Sequence, residues 1–351
     1  MLLSDELLLN YKRCQRRAFL NVYGDPNERD PSRDFLLKLR QESENHIACV
    51  LAQNYPVCYQ PQTAREDWQG RAKETVALMQ QGVECIYQGM LYSPLKGAEN
   101  VILVGTPHLL LKQPGQSQIG DWSYSPTSIQ LGRRPKPEYK ILAAFYAHLL
   151  ASVQGVLPKT AQIILRQQNT YTVQLDSWLP RMQEVLSECM QMRQRQEGPE
   201  VFISRQRCSL CHWYSHCYAI AQSQKHLSLV PGVTPNRYEH LQTLGVETVE
   251  SLAVACPVNL GELIGVDVAL QLKQQAQSIV ENRAILKLSQ AKNIRKAIPT
   301  ASIEFYFDIE AEPERNLDYL LGILLIDRQA RTEQFYPFMA ETPEDEGAIW
   351  K

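Results

Sequence analysis

Three cysteines in the segment RCSLCHWYSHCY are close enough in sequence to bind one inorganic centre. Cys208, Cys211 and Cys217 follow the pattern C-x2-C-x5-C, and a two-residue gap lets two thiolates turn toward the same ion or cluster. Such a centre needs a fourth ligand. Cys14 lies in LNYKRCQRRAFL at helical spacing from apolar neighbours, which predicts a thiol on the inward face of a helix. We therefore expect four thiolates to hold an iron–sulfur cluster.

Two other states of these cysteines stay open on spacing alone. Zinc could be bound by the three clustered cysteines with His212 or His216, since Cys3His tetrahedra are common structural sites. The thiols could also be free and buried, although their density is far above ordinary usage. The remaining cysteines are scattered singly and are expected in the core: Cys49, Cys58, Cys85, Cys189 and Cys256.

A second candidate site is a pair of carboxylates in the segment FYFDIEA. Asp308 and Glu310 are two residues apart on a predicted strand, so both side chains point to one face. Such a pair can bind Mg2+ or Mn2+ for phosphodiester hydrolysis, with two ions roughly 4 Å apart that activate water and stabilise the leaving oxygen. Two solvated acids at a strand end are the alternative. The apolar strand before the pair and the neighbouring YLLGILLI favour the catalytic interpretation, while further ligands are not identifiable.

The size and charge of the chain are those of an ordinary globular protein. Its 351 residues suffice for two or three domains, and a net charge of −2 means that any nucleic-acid binding must use local basic patches. The longest apolar runs are too short to span a bilayer, and Asp5 and Glu6 argue against a signal peptide. We expect a cytoplasmic protein without membrane contact, in which nine cysteines indicate metal binding rather than disulfides.

The first 225 residues predict a helical start followed by an α/β core. Helices are expected at SDELLLNYKRCQRRAFLNVYG, with Ser4 as its cap, and at RDFLLKLRQESENHIACVLAQN, with His46 on or near the apolar stripe. Short segments rich in branched and aromatic residues, such as NVILVGTPHLLLKQ and WSYSPTSIQLG, predict strands. The segment PEYKILAAFYAHLL predicts a helix on the sheet, and the clustered cysteines close this core.

Two changes in composition divide the rest of the chain. In residues 226–298, a Gly flanked by apolar residues twice precedes a predicted helix. This pattern fits either helix-hairpin-helix motifs, which bind phosphate with backbone N–H groups, or a plain helical linker. Residues 299–351 alternate predicted strands and turns, as at the opening of an α/β domain. About fifty residues are too few to close such a domain, so we expect a truncated one.

One N-terminal cysteine followed by a distal C-x2-C-x5-C resembles the iron–sulfur-stapled branch of the RecB-like nucleases, over residues 1–225. The hairpin region and the FDIE segment resemble the parts that follow in an architecture with a YprB-type ribonuclease-H-like exonuclease domain. The resemblance implies an α/β fold: a RecB/PD-(D/E)XK-like nuclease core with a helical N-terminus, a helical hairpin linker, and an incomplete ribonuclease-H-like domain. It also implies a 4Fe–4S cluster and an acidic motif, with these residues: Cys14, Cys208, Cys211 and Cys217 for the cluster, Asp308 and Glu310 for the exonuclease.

The same resemblance implies that the first nuclease site is degenerate. A working RecB-like site has a His on a helix, which His46 matches, then an Asp after G-x-x, and a carboxylate with Lys on the next strand. At the position of that Asp this sequence has His108, in VGTPHLLL. At the positions of the carboxylate and the Lys it has Ser128 and Gln130, in PTSIQLG. Losing both acids removes the anionic ligands of a metal ion. Asp121 could substitute as a ligand, but in IGDWSY it is more typical of a turn.

The sequence therefore predicts a cytoplasmic nucleic-acid-processing protein, a metal-dependent DNA exonuclease that uses Asp308 and Glu310. Arg13, Arg16 and Arg17 beside Cys14 could bind phosphate or simply be solvated. The alternative function is a non-catalytic DNA-binding adaptor with a structural iron–sulfur or zinc site. Protein partners cannot be inferred from the sequence.

Overall fold

The protein consists of two units, Met1–Glu281 and Asn282–Lys351. The structure is a computed structural model, and it describes residues 1–95, 97, 100–286, 301–312 and 315–351. The predicted domain boundary after residue 225 lies inside the first unit. The predicted boundary between residues 298 and 299 lies outside the described residues, so the three-domain division stays a prediction.

The N-terminal segment forms a strand and two helices that are separated at Cys14: β1 (Leu2–Ser4), α1 (Asp5–Arg13) and α2 (Gln15–Tyr23). The Ser4 hydroxyl accepts a hydrogen bond from the Leu7 backbone N–H at 3.2 Å and caps α1 as predicted. The expectation of one continuous helix is wrong, because Cys14 has extended backbone angles, φ −163° and ψ 114°. Cys14 thus ends one helix and starts the next.

Two longer helices follow, α3 (Asp34–Asn54), which carries His46, and α4 (Trp68–Gln80). In its described residues the first unit has eight strands. Besides β1 they are β2 (Cys85–Tyr87), β3 (Leu91–Pro94), β4 (Ile102–Gly105), β5 (Leu109–Ser117), β6 (Gly120–Ile129), β7 (Ala161–Ile164) and β8 (Thr170–Val173). The crossover helix α5 (Pro137–Gln154) lies between β6 and β7 in the chain. They build a three-stranded sheet, β1-β4-β3, and a five-stranded sheet, β2-β5-β6-β7-β8. Strands β5 and β6 are antiparallel, whereas β6 and β7 are parallel and α5 connects them, which gives the predicted mixed α/β arrangement.

Helix α5 is buried around most of its circumference, and Phe145 and Leu149 have no exposed surface. Its last residue, Gln154, completes the hydrogen bonding of β6: Oε1 accepts from the Tyr124 N–H at 2.8 Å, and Nε2 donates to the Tyr124 carbonyl at 3.2 Å. Strand β6 pairs with β7 only from Thr127 onward. The Gln154 amide therefore takes the place of a missing strand beside Tyr124.

Seven helices follow the sheets in the described part of the first unit: α6 (Leu175–Arg195), α7 (Arg205–Cys208), α8 (Tyr214–Ser223), α9 (Pro235–Thr243), α10 (Val249–Val254), α11 (Pro257–Ile264) and α12 (Val266–Glu281). The last four have their own apolar core, which includes Leu241, Leu252 and Leu272. Gly245 and Gly265, both with positive φ, lie between α9 and α10 and between α11 and α12. Within the described ranges, none of the helices is long and apolar enough to cross a membrane.

The second unit contains an antiparallel sheet in the order β11-β10-β9, followed by a short helix. Its elements are β9 (Ile303–Glu312), β10 (Leu317–Asp327), β11 (Thr332–Met339) and α13 (Glu346–Ile349). The Glu346 carboxylate accepts from the Asp318 backbone N–H at 2.8 Å and ties α13 to β10. The predicted succession of strands and turns is confirmed.

The five scattered cysteines have three different environments. Cys189 is buried as expected, whereas Cys49 and Cys256 are exposed, so the core prediction is wrong for those two. Cys58 and Cys85 form a disulfide, which the sequence did not predict. The bond joins the chain after α3 to β2, next to the backbone bridge between Tyr59 and Ile86.

Candidate functional site

The four cysteines predicted to bind one centre come from two distant parts of the first unit. Cys14 is the residue between α1 and α2, and its sulfur accepts from the Arg17 backbone N–H at 3.4 Å. Cys208 ends α7, Cys211 lies in the turn that follows, and Cys217 lies on α8. The extended backbone at Cys14 places its sulfur at the N-terminus of α2, whose positive dipole end faces it.

Side chains from each segment bind the backbone of the other and hold the two parts together. The Arg207 guanidinium donates to the Arg13 carbonyl at 3.1 Å, and that of Arg16 donates to the Pro199 carbonyl at 2.5 Å. Trp213 is completely buried, and its indole N–H donates to the Asn21 side-chain oxygen at 2.8 Å. The N-terminal helices are thus joined to a segment about two hundred residues away, as the predicted staple requires.

The thiols influence one another electrostatically. Burial raises the pKa of Cys208, and the neighbouring Cys14 and Cys211 raise it further. Burial also raises the pKa of Cys211, and it raises that of Cys217 to about 11 against the lowering effect of Arg16. Without a bound cation these sulfurs are therefore protonated at neutral pH. Among the described residues, no three His, Cys, Asp or Glu side chains already have the arrangement of a metal site.

Two arginines next to the thiols have donors that nothing satisfies. The Nε atoms of Arg16 and Arg17 are buried and lack a hydrogen-bond partner. The Arg16 side chain hydrogen-bonds to Cys217, and the Arg17 charge lowers the pKa of Cys211. A buried N–H donor of a guanidinium that lacks a partner favours negative charge nearby. Thiolates around an iron–sulfur cluster would supply that charge, so the residues fit such a group.

The two histidines proposed as zinc ligands have other partners. His212 Nε2 lies 2.8 Å from the Asn21 side-chain oxygen, and His216 Nδ1 lies 3.0 Å from a Glu28 carboxylate oxygen. Burial lowers the pKa of His212, and the charges of Arg17 and Arg29 lower it as well. These contacts favour a centre with four sulfurs over a Cys3His site.

The residues at which the resemblance implies a degenerate nuclease site lie where α3 packs against the five-stranded sheet. Burial lowers the pKa of His108 to about 4, and the nearby His46 lowers it too. Burial and the Arg166 charge lower the pKa of His46, whose buried Nε2 has no hydrogen-bond partner. His108 Nδ1 accepts from the Ile129 backbone N–H at 3.2 Å. A neutral imidazole, that of His108, therefore stands at the position where the resemblance implies an acid, beside His46, which matches the expected histidine.

The other positions of that site offer no anionic ligand. Ser128 is buried on β6, and the Gln130 backbone N–H donates to the Ile164 carbonyl at 2.8 Å. Thr127 of β6 pairs with Leu109, the residue after His108. Asp121 is exposed at the opposite end of β6, six residues before Thr127. Six residues of strand span roughly 20 Å, so Asp121 cannot serve as the substitute ligand.

The carboxylate pair lies on the outer strand of the second unit's sheet. Asp308 is opposite Gly322 of β10, and Glu310 is opposite Leu320. Strand periodicity puts both side chains, which are exposed, on one face. On the same face the Arg328 guanidinium donates to the Glu304 carboxylate, at 2.7 Å for the shorter contact, and this lowers the pKa of Glu304 to about 2. Glu304 is thereby paired, and Glu312 lies 3.4 Å from Arg315, so Asp308 and Glu310 are the other two acids of this strand.

Sequence reasoning did not identify every residue near the sulfurs. Arg16 and Arg17, for which phosphate binding or solvation was considered, also interact with the cysteine sulfurs. Their position two and three residues after Cys14 was the available signal, because residues so close in sequence to a cysteine can lie near its sulfur. His226 and Glu200, which lie 3.4 Å apart in a cavity, carry no sequence signature.

Comparison with known families gives one match. Residues 305–351 match the model RNase_H_2 of the RNase_H superfamily. No curated protein matches the chain. The match identifies a ribonuclease-H-like piece at the C-terminal end, which contains the carboxylate pair, and it supports a nuclease-type function on nucleic acid in general.

Proposed function

We propose that this protein is a metal-dependent DNA exonuclease whose reaction takes place at Asp308 and Glu310. The observation that carries the proposal is that the ribonuclease-H-like match starts within β9, the strand that presents both carboxylates on one face. Exposed carboxylate oxygens are the ligands that Mg2+ and Mn2+ prefer. When bound, these ions activate water and stabilise the leaving oxygen of a phosphodiester.

The surroundings of the pair support its part in the reaction. Gly322, opposite Asp308, has no side chain, and the space above it is taken by the ring of Phe335, which a Cβ would approach to 3.1 Å. Asp308 and Glu310 themselves remain exposed. The exposed carboxylates can therefore bind cations that in turn contact a substrate phosphate.

The test is degradation of end-labelled single-stranded DNA in the presence of Mn2+. We expect Asp308→Asn and Glu310→Gln each to reduce the rate at least 100-fold, since each removes an anionic metal ligand while keeping the side-chain shape. The matched control is Glu333→Gln, an exposed carboxylate at the far end of β11, which should retain full activity. Tight binding of the DNA without any cleavage would contradict the proposed exonuclease activity and would support the adaptor function.

We also propose that the first unit contains a RecB-like core that no longer hydrolyses DNA and is closed by a 4Fe–4S cluster on Cys14, Cys208, Cys211 and Cys217. The parallel pair β6 and β7 with its crossover helix supports the core. His108 and Ser128, which stand where the family has acids, support the loss of Mg2+ binding. The unsatisfied arginine donors support the cluster. In this proposal the first unit binds nucleic acid, and the helical hairpins add phosphate contacts.

A further inference from the structure

A cavity of about 510 Å³ lies between the start of α2, the segment after α6, and helices α8 and α9. Its volume is in the range of small-ligand sites. The carboxylate of Glu200 and the buried side chains of His226 and Tyr238 are among its walls, and Val201 and Ile220 add apolar surface. Neither the carboxylate pair nor the four cysteines belong to its lining.

One buried polar group in this cavity has no partner. His226 is 4% exposed, and its Nε2 makes no hydrogen bond. Its Nδ1 accepts from the Ser228 backbone N–H at 3.0 Å, so the proton of the neutral ring is on Nε2. Burial lowers the pKa of His226, which keeps the ring neutral at pH 7. The cavity therefore contains a buried N–H donor that makes no hydrogen bond and whose neighbouring acceptor, Glu200 Oε1, lies at 3.4 Å.

An acceptor lies directly beside that donor. Glu200 Oε1 is 3.4 Å from His226 Nε2 and accepts from the Tyr238 hydroxyl at 2.5 Å. Gln242 donates to the same hydroxyl at 2.7 Å, and this chain of bonds fixes the carboxylate. Glu247 adds a second carboxylate to the lining, and Arg16 adds a cation. At His226 the wall thus presents one buried N–H donor next to the Glu200 carboxylate, while the Arg16 charge lies elsewhere in the lining.

From this arrangement we infer that the cavity binds a guanine base. The Watson–Crick edge of guanine has one carbonyl acceptor, O6, next to two N–H donors, N1 and N2. O6 would accept from His226 Nε2, and N1–H and N2–H would donate to the Glu200 carboxylate. An ammonium ligand would leave the His226 N–H unpartnered, and a phosphate bound at His226 would lie against the Glu200 carboxylate, 3.4 Å away. Arg16, which also lines the cavity, is the cation available to the phosphate of a nucleotide. Adenine and cytosine offer the carboxylate only one donor group.

The experiment is isothermal titration of the full chain with guanosine, inosine and adenosine 5′-monophosphates. We expect guanosine monophosphate to bind at least tenfold more tightly than the other two, because inosine lacks the N2 donor and a site built on hydrogen bonds discriminates against its loss. Glu200→Gln should lower the affinity for guanosine monophosphate about 10- to 100-fold, the size expected for charge-assisted bonds. The matched control, Glu197→Gln, lies outside the cavity lining and should bind as the unmodified chain does.

A second arm distinguishes a free nucleotide from a base within a strand. It compares a nine-residue oligothymidylate with the same oligomer carrying one central guanine. A preference for the guanine-containing oligomer that Glu200→Gln removes supports recognition within a strand, and binding of the mononucleotide alone supports a free nucleotide. Equal affinities for the three mononucleotides, no effect of Glu200→Gln, or no binding of either probe would overturn the inference. No Mn2+ is added, so this result is independent of the nuclease assay.

Discussion

At the scale of single residues, His108 gives the first unit a dependence on pH. Its pKa of about 4 in the folded protein is below the ordinary value of 6.5. The unfolded chain therefore takes up a proton at this residue as the pH falls through 6.5, while the folded chain does not. Stability is complete above pH 6.5 and is lost progressively toward pH 4, by about 3 kcal/mol in total from this residue.

We expect His108→Asn to flatten that dependence. Asparagine can still accept from the Ile129 N–H, as His108 Nδ1 does, but it does not titrate. Urea unfolding between pH 7 and pH 4.5, followed by tryptophan fluorescence, to which the buried Trp213 contributes, should show a smaller loss of stability than in the unmodified chain. Ser152→Ala, an exposed position on α5 without a titrating group, is the control and should keep the original slope. Parallel slopes for His108→Asn and the unmodified chain would contradict the assignment.

The role of a residue could be predicted from the sequence when the residues around it in space are also close to it in sequence. The clustered cysteines and the Asp308–Glu310 pair were singled out by local spacing, and the structure puts the carboxylate pair on a strand as expected. The roles of both groups stay predictions. Arg17 could not be assigned, because its environment includes Cys211, almost two hundred residues away. The helix break at Cys14 was hidden because no proline or glycine marks it.

At the scale of elements, the central strand β6 depends on a side chain of α5. The Gln154 amide is completely buried and bonds both backbone groups of Tyr124. It also donates to the Val156 carbonyl at 3.0 Å, so it joins the end of the helix to the sheet. The sequence predicts the strand and the helix separately, but the link between them requires the three-dimensional arrangement.

Replacing Gln154 by Leu should leave these backbone groups buried and unpaired. We expect a loss of about 2 to 4 kcal/mol in the free energy of unfolding, since each unsatisfied buried group costs about 1 to 3 kcal/mol. Hydrogen exchange at the Tyr124 amide measures the effect locally and should become faster. Ser152→Ala, an exposed position on the same helix, is the control. Unchanged protection of Tyr124 in Gln154→Leu would show that the strand is held by other contacts.

At the scale of the whole molecule, the first unit brings its N-terminus back to residues near position 210. The bonds from Arg207 to Arg13 and from Trp213 to Asn21 close a loop of about two hundred residues. Closing so long a loop carries an entropic cost that a few exposed hydrogen bonds do not offset well. A metal cluster held by both segments would contribute its binding free energy to folding of this unit.

The last prediction concerns that cluster. Each molecule of the anaerobically purified chain should contain four iron atoms and four acid-labile sulfides, as a 4Fe–4S protein does. Its absorbance should be broad, at about 400 nm. Cys208→Ser should lose the iron and the sulfide, and it should lower the melting temperature of the first unit, because one of the two joined segments loses a ligand. Cys256→Ser, an exposed thiol on the same unit, should keep the full iron content.

Stoichiometric zinc in a colourless protein would instead identify a zinc site on the same sulfurs. Full iron content in Cys208→Ser would exclude this sulfur as a ligand, and the buried donors of Arg16 and Arg17 would then require another anionic partner.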